Sequence, residues 1–522
     1  MNLNLEISIS ICILGKRKLP IKFLNILMKY TQMKKLNFLY FLMLTASTAF
    51  AQLNNPPALS AIRTEDLKKD LYALADAHYN GRSAGTLDEL KASMWLGEQY
   101  RAIGLKPAGD DGTYFQYFTL WRNHLADNST IQINDKSLTM WKDVSVSQMA
   151  NVSLNAPIVY LGNALEIDTN RIDVKGKIIA IEANPKGINM NVSLPTWRYS
   201  RSIYVKYGLP MLKRGAIAII FIADETAEKA WEDANENFER GNYDIDGGVN
   251  VNVTTKVPVI WLHASAKQEL QQGNAVIKAN LIISKYAYPS VNIVGKIDGT
   301  DAKLKSEYLL YSGHTDAHGI RNMIKNDSIY YGADDNGSVD VAMLANARAF
   351  VKNPAKRSIL FVIHGAEERG LLGSRYYSSH PTVPINNVVA VLNGDMIGRN
   401  NLDSAAVLGI TSPHRNSSDL VKMTLEANQE GPKFKLDTEW DKTTHIEGWY
   451  FRSDHLPYAR LGIPSIMYTS LLHPDYHTPQ DNAENINYPK LKKMADWMYR
   501  TGWKVANSEK RPATDVGFKL ER

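Results

Sequence analysis

The residues in this chain that could do chemistry are histidines and carboxylates, and they collect at the ends of apolar runs. The run 308–312 leads into Gly313-His314-Thr315-Asp316, the run 358–363 into His364-Gly365-Ala366-Glu367-Glu368, and the run 388–392 into Asn393-Gly394-Asp395. Continuous runs rich in β-branched residues and leucine read as buried parallel strands, and ligands on such sheets bind at the carboxyl ends of the strands. Two loops add donors. Gly332-Ala333-Asp334-Asp335-Asn336-Gly337-Ser338 has the glycines and paired acids of a tight turn ahead of a helical run at 339–350. The apolar run 463–469 is followed by His473-Pro474-Asp475-Tyr476-His477-Thr478-Pro479-Gln480-Asp481. Two histidines and three carboxylates from these motifs are ligands suited to Zn²⁺. They exceed what one tetrahedral zinc needs, and a carboxylate bridging two ions about 3.5–4 Å apart would use them all. Taken singly, each is an ordinary hydrogen-bonded residue at a strand end; their coincidence carries the reading.

Five motifs stand in register: H-x-D at 314–316, G-A-D-D-N-G-S at 332–338, E-E-x-G-L-L-G-S at 367–374, N-G-D-M at 393–396 and Y-H-T-P-Q-D at 476–481. Together they resemble the co-catalytic zinc exopeptidases of metallopeptidase clan MH, which include secreted bacterial leucine-type aminopeptidases, glutamate carboxypeptidases and glutaminyl cyclases. The resemblance is strong over 290–505. It extends to 62–118 through Gly81-Arg82 and Gly104-Leu105-Lys106-Pro107, while 174–178 and 213–216 resemble a protease-associated domain. It implies two Zn²⁺ per chain, one on His314 and Asp395, the other on Glu368 and His477, with Asp335 bridging. It also implies that Glu367 is the general base toward a metal-bridging water, that Asp316 orients His314, and that Tyr476 donates to the oxyanion. Residues i and i+2 of an extended chain point the same way, which suits the Asp316 role. Val339 departs from the family, which commonly has glycine there, and this should change helix packing and leave metal binding intact.

The activity so implied is that of a zinc-dependent aminopeptidase, a hydrolase and metalloprotease that removes N-terminal residues from peptides through a bridging hydroxide. A carboxypeptidase of the same family is the alternative and would need a cationic pocket, for which Arg321, Arg399 and Arg452 are candidates. A glutaminyl cyclase would need a single zinc. His318, His364, His455 and His473 are assigned structural or substrate-pocket roles, and Asp334 a turn-stabilising one. Ser453-Asp454-His455 reads as a helix N-cap or a family motif. It does not form a serine triad, because the chain has no G-x-S-x-G elbow.

These donors require a scaffold. Helical spacing is expected over 62–77 and over 87–103, the latter stopped by Gly104. Short strands are expected over 113–150. From about 155, apolar runs at 156–160, 178–181, 216–222 and 257–262, with a helical stretch at 202–214, predict a compact β-rich unit. The polar, acidic, Asn- and Gly-rich stretch 224–255 is expected to be a loop. From 290 onward strand-like runs alternate with helices, which predicts an α/β domain with a mostly parallel sheet and helices on both faces. The predicted organisation is a leader over 1–51, an N-terminal part of the peptidase domain over 52–150, a protease-associated-like insert over 151–287, and the catalytic domain over 288–522.

Composition narrows the remaining classes. Hydrophobic residues at 44% and charged residues at 22% are those of a globular protein. Residues 1–51 hold seven of the 60 basic and one of the 54 acidic residues, which leaves 53 of each over 52–522. That balance gives no electrostatic basis for a nucleic-acid partner or an anionic membrane surface. Lys34-Lys35, the apolar stretch 38–44 and Ala49-Phe50-Ala51 before Gln52 have the form of a secretory signal peptide. Translation starting at Met33 would suit that signal, and the product would be periplasmic or secreted, without a membrane anchor and with peptides as its partners. Cys12, the single cysteine, lies before the cleavage site, so the metal ligands must be nitrogen and oxygen.

Overall fold

The computed structural model describes residues 55–520, apart from 166–171, 190, 192, 249 and 251–254. The expectations for the leader, the signal peptide, Met33 and Cys12 lie outside these residues. Among the described residues, no helix is long and apolar enough to cross a membrane.

The elements that frame the site, in chain order, are α1 (Thr64–Leu74), α2 (Leu87–Ile103), β1 (Phe115–Leu125), α3 (Trp231–Arg240), β2 (Asn242–Ile245), β3 (Ile283–Ile297), β4 (Tyr308–His314), α4 (Ser338–Lys352), β5 (Ser358–His364), β6 (Val388–Gly394), β7 (Ser404–Leu408), β8 (Lys435–Asp437), β9 (Ser465–Thr469) and α5 (Tyr488–Asn507). Both N-terminal helices follow their apolar spacing. α2 is opened by Thr86, whose hydroxyl accepts from the Glu89 amide, and closed by Gly104 at φ 100°.

The larger sheet runs β8-β7-β9-β6-β4-β5-β3-β1-β2, with Lys106–Pro107 paired to β3. Its centre, β5-β4-β6-β9, is parallel. The flanks β3, β1 and β2 are antiparallel, as is the β7–β9 pair. The expected parallel sheet is therefore the middle of a mixed one. Period-2 alternation sends successive side chains to opposite faces. On β4, Leu309 and Tyr311 enter one core with α4 and α5, while Leu310 enters another with Tyr377 and Tyr458. Helical residues thus cover both faces, which is why these strands read as unbroken apolar runs.

β1 and β3 leave this sheet as a long antiparallel ribbon, pairing Phe115 with Ile293 through to Leu125 with Ile283. Between them lies a smaller eight-stranded sheet with apolar cores on both faces. Two sequence boundaries are corrected here. Strands Thr130–Ile133, Lys136–Leu138 and Val144–Gln148, assigned from sequence to the peptidase domain, pair in the smaller sheet. The stretch 224–255, expected as a loop, contains Glu225–Lys229, α3 and β2. α3 is strongly amphipathic despite its polar composition, burying Ala234 and Asn235, and β2 returns to pair with β1 of the larger sheet. The helical stretch predicted over 202–214 starts earlier, at Pro195, which suits the first turn of a helix.

Val339 is accommodated by two glycines. A Cβ at Gly313 would lie 2.7 Å from Val339 Cγ1, and one at Gly394 would lie 2.9 Å from both of its methyls. The isopropyl group at the start of α4 thus fills the space that the bare ends of β4 and β6 leave open.

Candidate metal centre

The parallel register sets His314 beside His364, at the carboxyl ends of β4 and β5. Beyond β5 the chain turns through Ala366 at φ 52° into Glu367 and Glu368. Asp395 follows β6, Asp335 sits in the Ala333–Gly337 turn before α4, and His477 lies in the loop after β9. All five expected ligands and Glu367 converge.

They converge as two clusters. His314, Glu367 and Asp395 form one, and His318, Glu368 and His477 the other; within each, one potential ligand atom per residue lies within 4.8 Å of the rest. Asp335 stands between them. Its Oδ1 is 3.4 Å from His314 Nε2 and its Oδ2 is 3.0 Å from His477 Nε2. Glu368 Oε1 is 3.1 Å from both His477 Nε2 and His318 Nε2. Asp395 Oδ2 and Glu367 Oε2 lie 4.0 and 3.7 Å from His314 Nε2.

The turns that present these groups are themselves held. Asp316 accepts from the amides of Glu367 (2.9 Å) and Glu368 (3.1 Å). The bond expected from its carboxylate to His314 is not the one made: His314 Nδ1 is 3.1 Å from the Asp316 carbonyl oxygen and 3.7 Å from Oδ1. Asp481 accepts from the amides of Asp334 and Asp335 at 2.9 and 3.1 Å. Asn336 donates to the Gly394 carbonyl and accepts from the Met396 amide, fastening the Asp395 loop. Buried Arg82 donates to the carbonyls of Thr315, Tyr331, Gly332 and Leu74. Asp334 faces away from the clusters and accepts from the Gly398 amide at 2.6 Å, in keeping with its turn role.

Electrostatically the centre holds more negative charge than its own imidazoles balance. Burial pushes the carboxyls of Glu367 and Asp395 well above their ordinary range; His314 opposes this, while neighbouring carboxylates add to it. Asp454, beside them, is raised to about 7 by burial and has neither carboxylate oxygen paired among the described residues. At Glu368 burial acts the same way, yet His318 and His477 hold the carboxyl well below its usual range. Buried His314 Nε2, both nitrogens of His318, and His477 Nδ1 have no hydrogen-bond partner among the described residues. Buried unpaired donors and clustered carboxylates are costly unless a cation satisfies them, so the donor set fits divalent metal.

Of the histidines assigned other roles, three stay outside the clusters. His364 is packed against Tyr458 and Asn292 and lowered to about 3 by burial. His455 is likewise lowered to about 3, and His473 lies 3.4 Å from Asp334. His318 is the exception and joins Glu368 and His477. Tyr476 stacks on His477 with ring centroids 3.6 Å apart and belongs to an aromatic cluster with Trp449, Phe451 and Met396.

The three arginines named from sequence all have carboxylate partners: Arg321 with Glu236, Arg399 with Asp475, and Arg452 with Glu447. Sequence reasoning missed Arg240 at the end of α3 and Arg369 beside Glu368. With Arg321 and His318 these line a cavity of about 360 Å³ whose acids are Glu236 and Asp88. Arg240 Nε and Arg369 Nε and Nη1 are buried without partners among the described residues.

Buried imidazoles and carboxylates gathered at the carboxyl ends of a parallel strand array are the make-up of a metal-binding site. Residues 292–501 match the model of peptidase family M28. It is 30% identical over 190 residues to aminopeptidase YwaD of Bacillus subtilis, covering 35% of this chain and 40% of the relative. It is 27% identical over 260 residues to a probable leucine aminopeptidase of Trichophyton verrucosum, covering 46% of this chain and 66% of that one. The chain thus spans less than two thirds of the length of these relatives. The fold is that of the zinc aminopeptidase BSAP from Bacillus subtilis, with a TM-score of 0.54 at 20% identity, over 88% of this chain and 99% of the other. The aminopeptidase from Aneurinibacillus sp. strain AM-1 is similar to the same degree, with a TM-score of 0.54 at 18% identity over 89% and 98% of the two chains.

Proposed function

We propose that this chain is an exported zinc-dependent aminopeptidase, with two zinc ions held by His314, Asp395 and Asp335 on one side and by Glu368, His477 and Asp335 on the other. One observation carries the reading: Asp335 turns one oxygen to each of two separate donor clusters. The names of the relatives support the activity. Zinc in such a site supplies Lewis acidity toward a peptide carbonyl and acidifies water. The protein does the rest. Glu367 Oε2, beside the His314 cluster, takes the proton from the attacking water and passes it to the leaving amine. The Tyr476 phenol, in the same crevice, donates to the oxygen that gains charge. Asp316 and Asp481 hold both carboxylate turns through backbone amides, so the reacting groups need little rearrangement. The aromatic cluster around Trp449 and Met396 adjoins Asp395 and Tyr476, which suits an apolar N-terminal side chain. The smaller sheet is read as the protease-associated-like insert.

The test is hydrolysis of leucyl-p-nitroanilide against an N-blocked dipeptide. Cleavage of the first and sparing of the second is expected; the reverse would overturn the aminopeptidase reading. The arginine-lined cavity favours a second reading, a carboxypeptidase that grips the substrate's terminal carboxylate, and the same assay separates the two. Export is tested by sequencing the N-terminus of protein from the native envelope, which should begin at Gln52.

A further inference from the structure

His318 comes four residues after His314, yet its side chain faces the other cluster. It follows the turn after β4, is largely buried, and packs edge-on against His477 with ring centroids 3.8 Å apart. Its Nε2 approaches Glu368 Oε1 to 3.1 Å, but without hydrogen-bond alignment, and neither ring nitrogen has a hydrogen-bond partner among the described residues. Leaving both nitrogens of a buried imidazole unsatisfied is unfavourable. Close approach without alignment is what two ligands of one ion produce. Each aims its lone pair at the metal, about 2.0–2.2 Å away, and so misses the other. Tetrahedral sites with such bonds separate neighbouring donors by about 3.3 Å. Glu368 Oε1 stands 3.1 Å from both His318 and His477, and His477 stands 3.0 Å from Asp335 Oδ2.

We propose that His318 is a protein ligand of the zinc on the Glu368 and His477 side. This rests on the two-metal reading and makes the two ions unequal. His318, Glu368, His477 and an Asp335 oxygen complete a four-donor set, as in structural zinc sites, whereas His314, Asp395 and Asp335 leave a position open, as in catalytic ones. The ion with the additional donor is then held more tightly than the other.

Two measurements on the full chain test this. Zinc content is followed during dialysis against a graded chelator, the visible spectrum is recorded after Co²⁺ replacement, and both are repeated for His318→Ala and His318→Cys. The wild type should retain one zinc under conditions that remove the other. His318→Ala should bind that retained zinc at least tenfold more weakly and lose intensity in the four-coordinate Co²⁺ band. His318→Cys should gain a thiolate-to-Co²⁺ charge-transfer band absent from the wild type, a sign that the position reaches the ion. Unchanged retention in His318→Ala together with no such band in His318→Cys would overturn the assignment while leaving a two-zinc enzyme intact. A wild type that binds a single zinc would instead remove the two-metal reading, and His318 would then stand or fall on whether His318→Ala weakens that one ion. If His318→Ala fails to fold, the His318→Cys spectrum decides alone.

Discussion

Burial pushes the Glu367 carboxyl well above its ordinary range, whereas at the adjacent Glu368 two imidazoles overcome burial and hold the carboxyl well below it. The difference follows from direction. Glu367 faces His314 and the carboxylates of Asp395 and Asp454, and Glu368 faces His318 and His477. The two neighbours should therefore fail differently when changed to glutamine, which keeps the shape but does not take up a proton at neutral pH. Glu367→Gln is expected to lower kcat by roughly 10²–10⁴-fold, with KM moving much less and zinc content unchanged. Glu368→Gln should release one zinc and make activity depend on added metal. Steady-state kinetics paired with metal analysis checks both. Loss of metal in the first variant with full retention in the second would mean that the two roles are exchanged.

At the scale of elements, the start of α4 is fitted to the ends of β4 and β6 by one isopropyl group against two glycines. Gly313→Ala should destabilise the protein by about 1–3 kcal/mol through overpacking, and the double change Gly313→Ala with Val339→Ala should recover most of that loss. Urea denaturation reads both; additivity of the two single changes would show that they do not share this space. α2 carries a second testable feature. Glu89 is fully buried, accepts from the Gly85 amide and the Ser290 hydroxyl, and is raised to about 8 by burial, with Asp316 adding to the rise. Between an unfolded value near 4.5 and about 8, the native protein keeps a proton that the unfolded chain has lost. Its contribution is thus fully present below about 4.5 and is lost as pH rises through about 8. Glu89→Gln should flatten the decline in urea midpoint across that window. An unaltered pH dependence would show that Glu89 is already ionised in the native state.

For the whole molecule, the two-zinc reading links metal and fold, because donors drawn from five separate segments, at His314, Asp335, Glu368, Asp395 and His477, meet at the crevice. A ligand that binds the native state alone stabilises it by about 2.7 kcal/mol at 100 times its Kd. Removing zinc also leaves like charges confined together. Chelator-treated protein should melt at a lower temperature in calorimetry, and stoichiometric Zn²⁺ should restore it. Equal melting temperatures in protein proven free of metal would mean that the crevice is rigid without its cation.

The parallel strands and the positions of the histidines and carboxylates at their ends were legible because each of these residues follows directly on its strand or turn. An apolar run of β-branched residues fixes the strand, and covalent continuity delivers His314, Glu368 or Asp395 to its end. What the sequence concealed is everything brought in by another segment. Arg82 reaches the carbonyl of Thr315 from 233 positions away, and Asp481 holds the Asp335 turn from 146. α3 places Arg240 beside Arg369, although 224–255 reads as loop because its apolar stripe is too thin to outweigh its polar composition. The i, i+4 spacing of His314 and His318 would suggest one shared partner on a helix. They belong instead to a strand end and the turn after it, and that turn sends His318 to the opposite cluster. Composition and periodicity determined which elements form; the crossing of segments that are distant in sequence decided which side chains meet, because side-chain direction in a turn is set by packing against partners far along the chain.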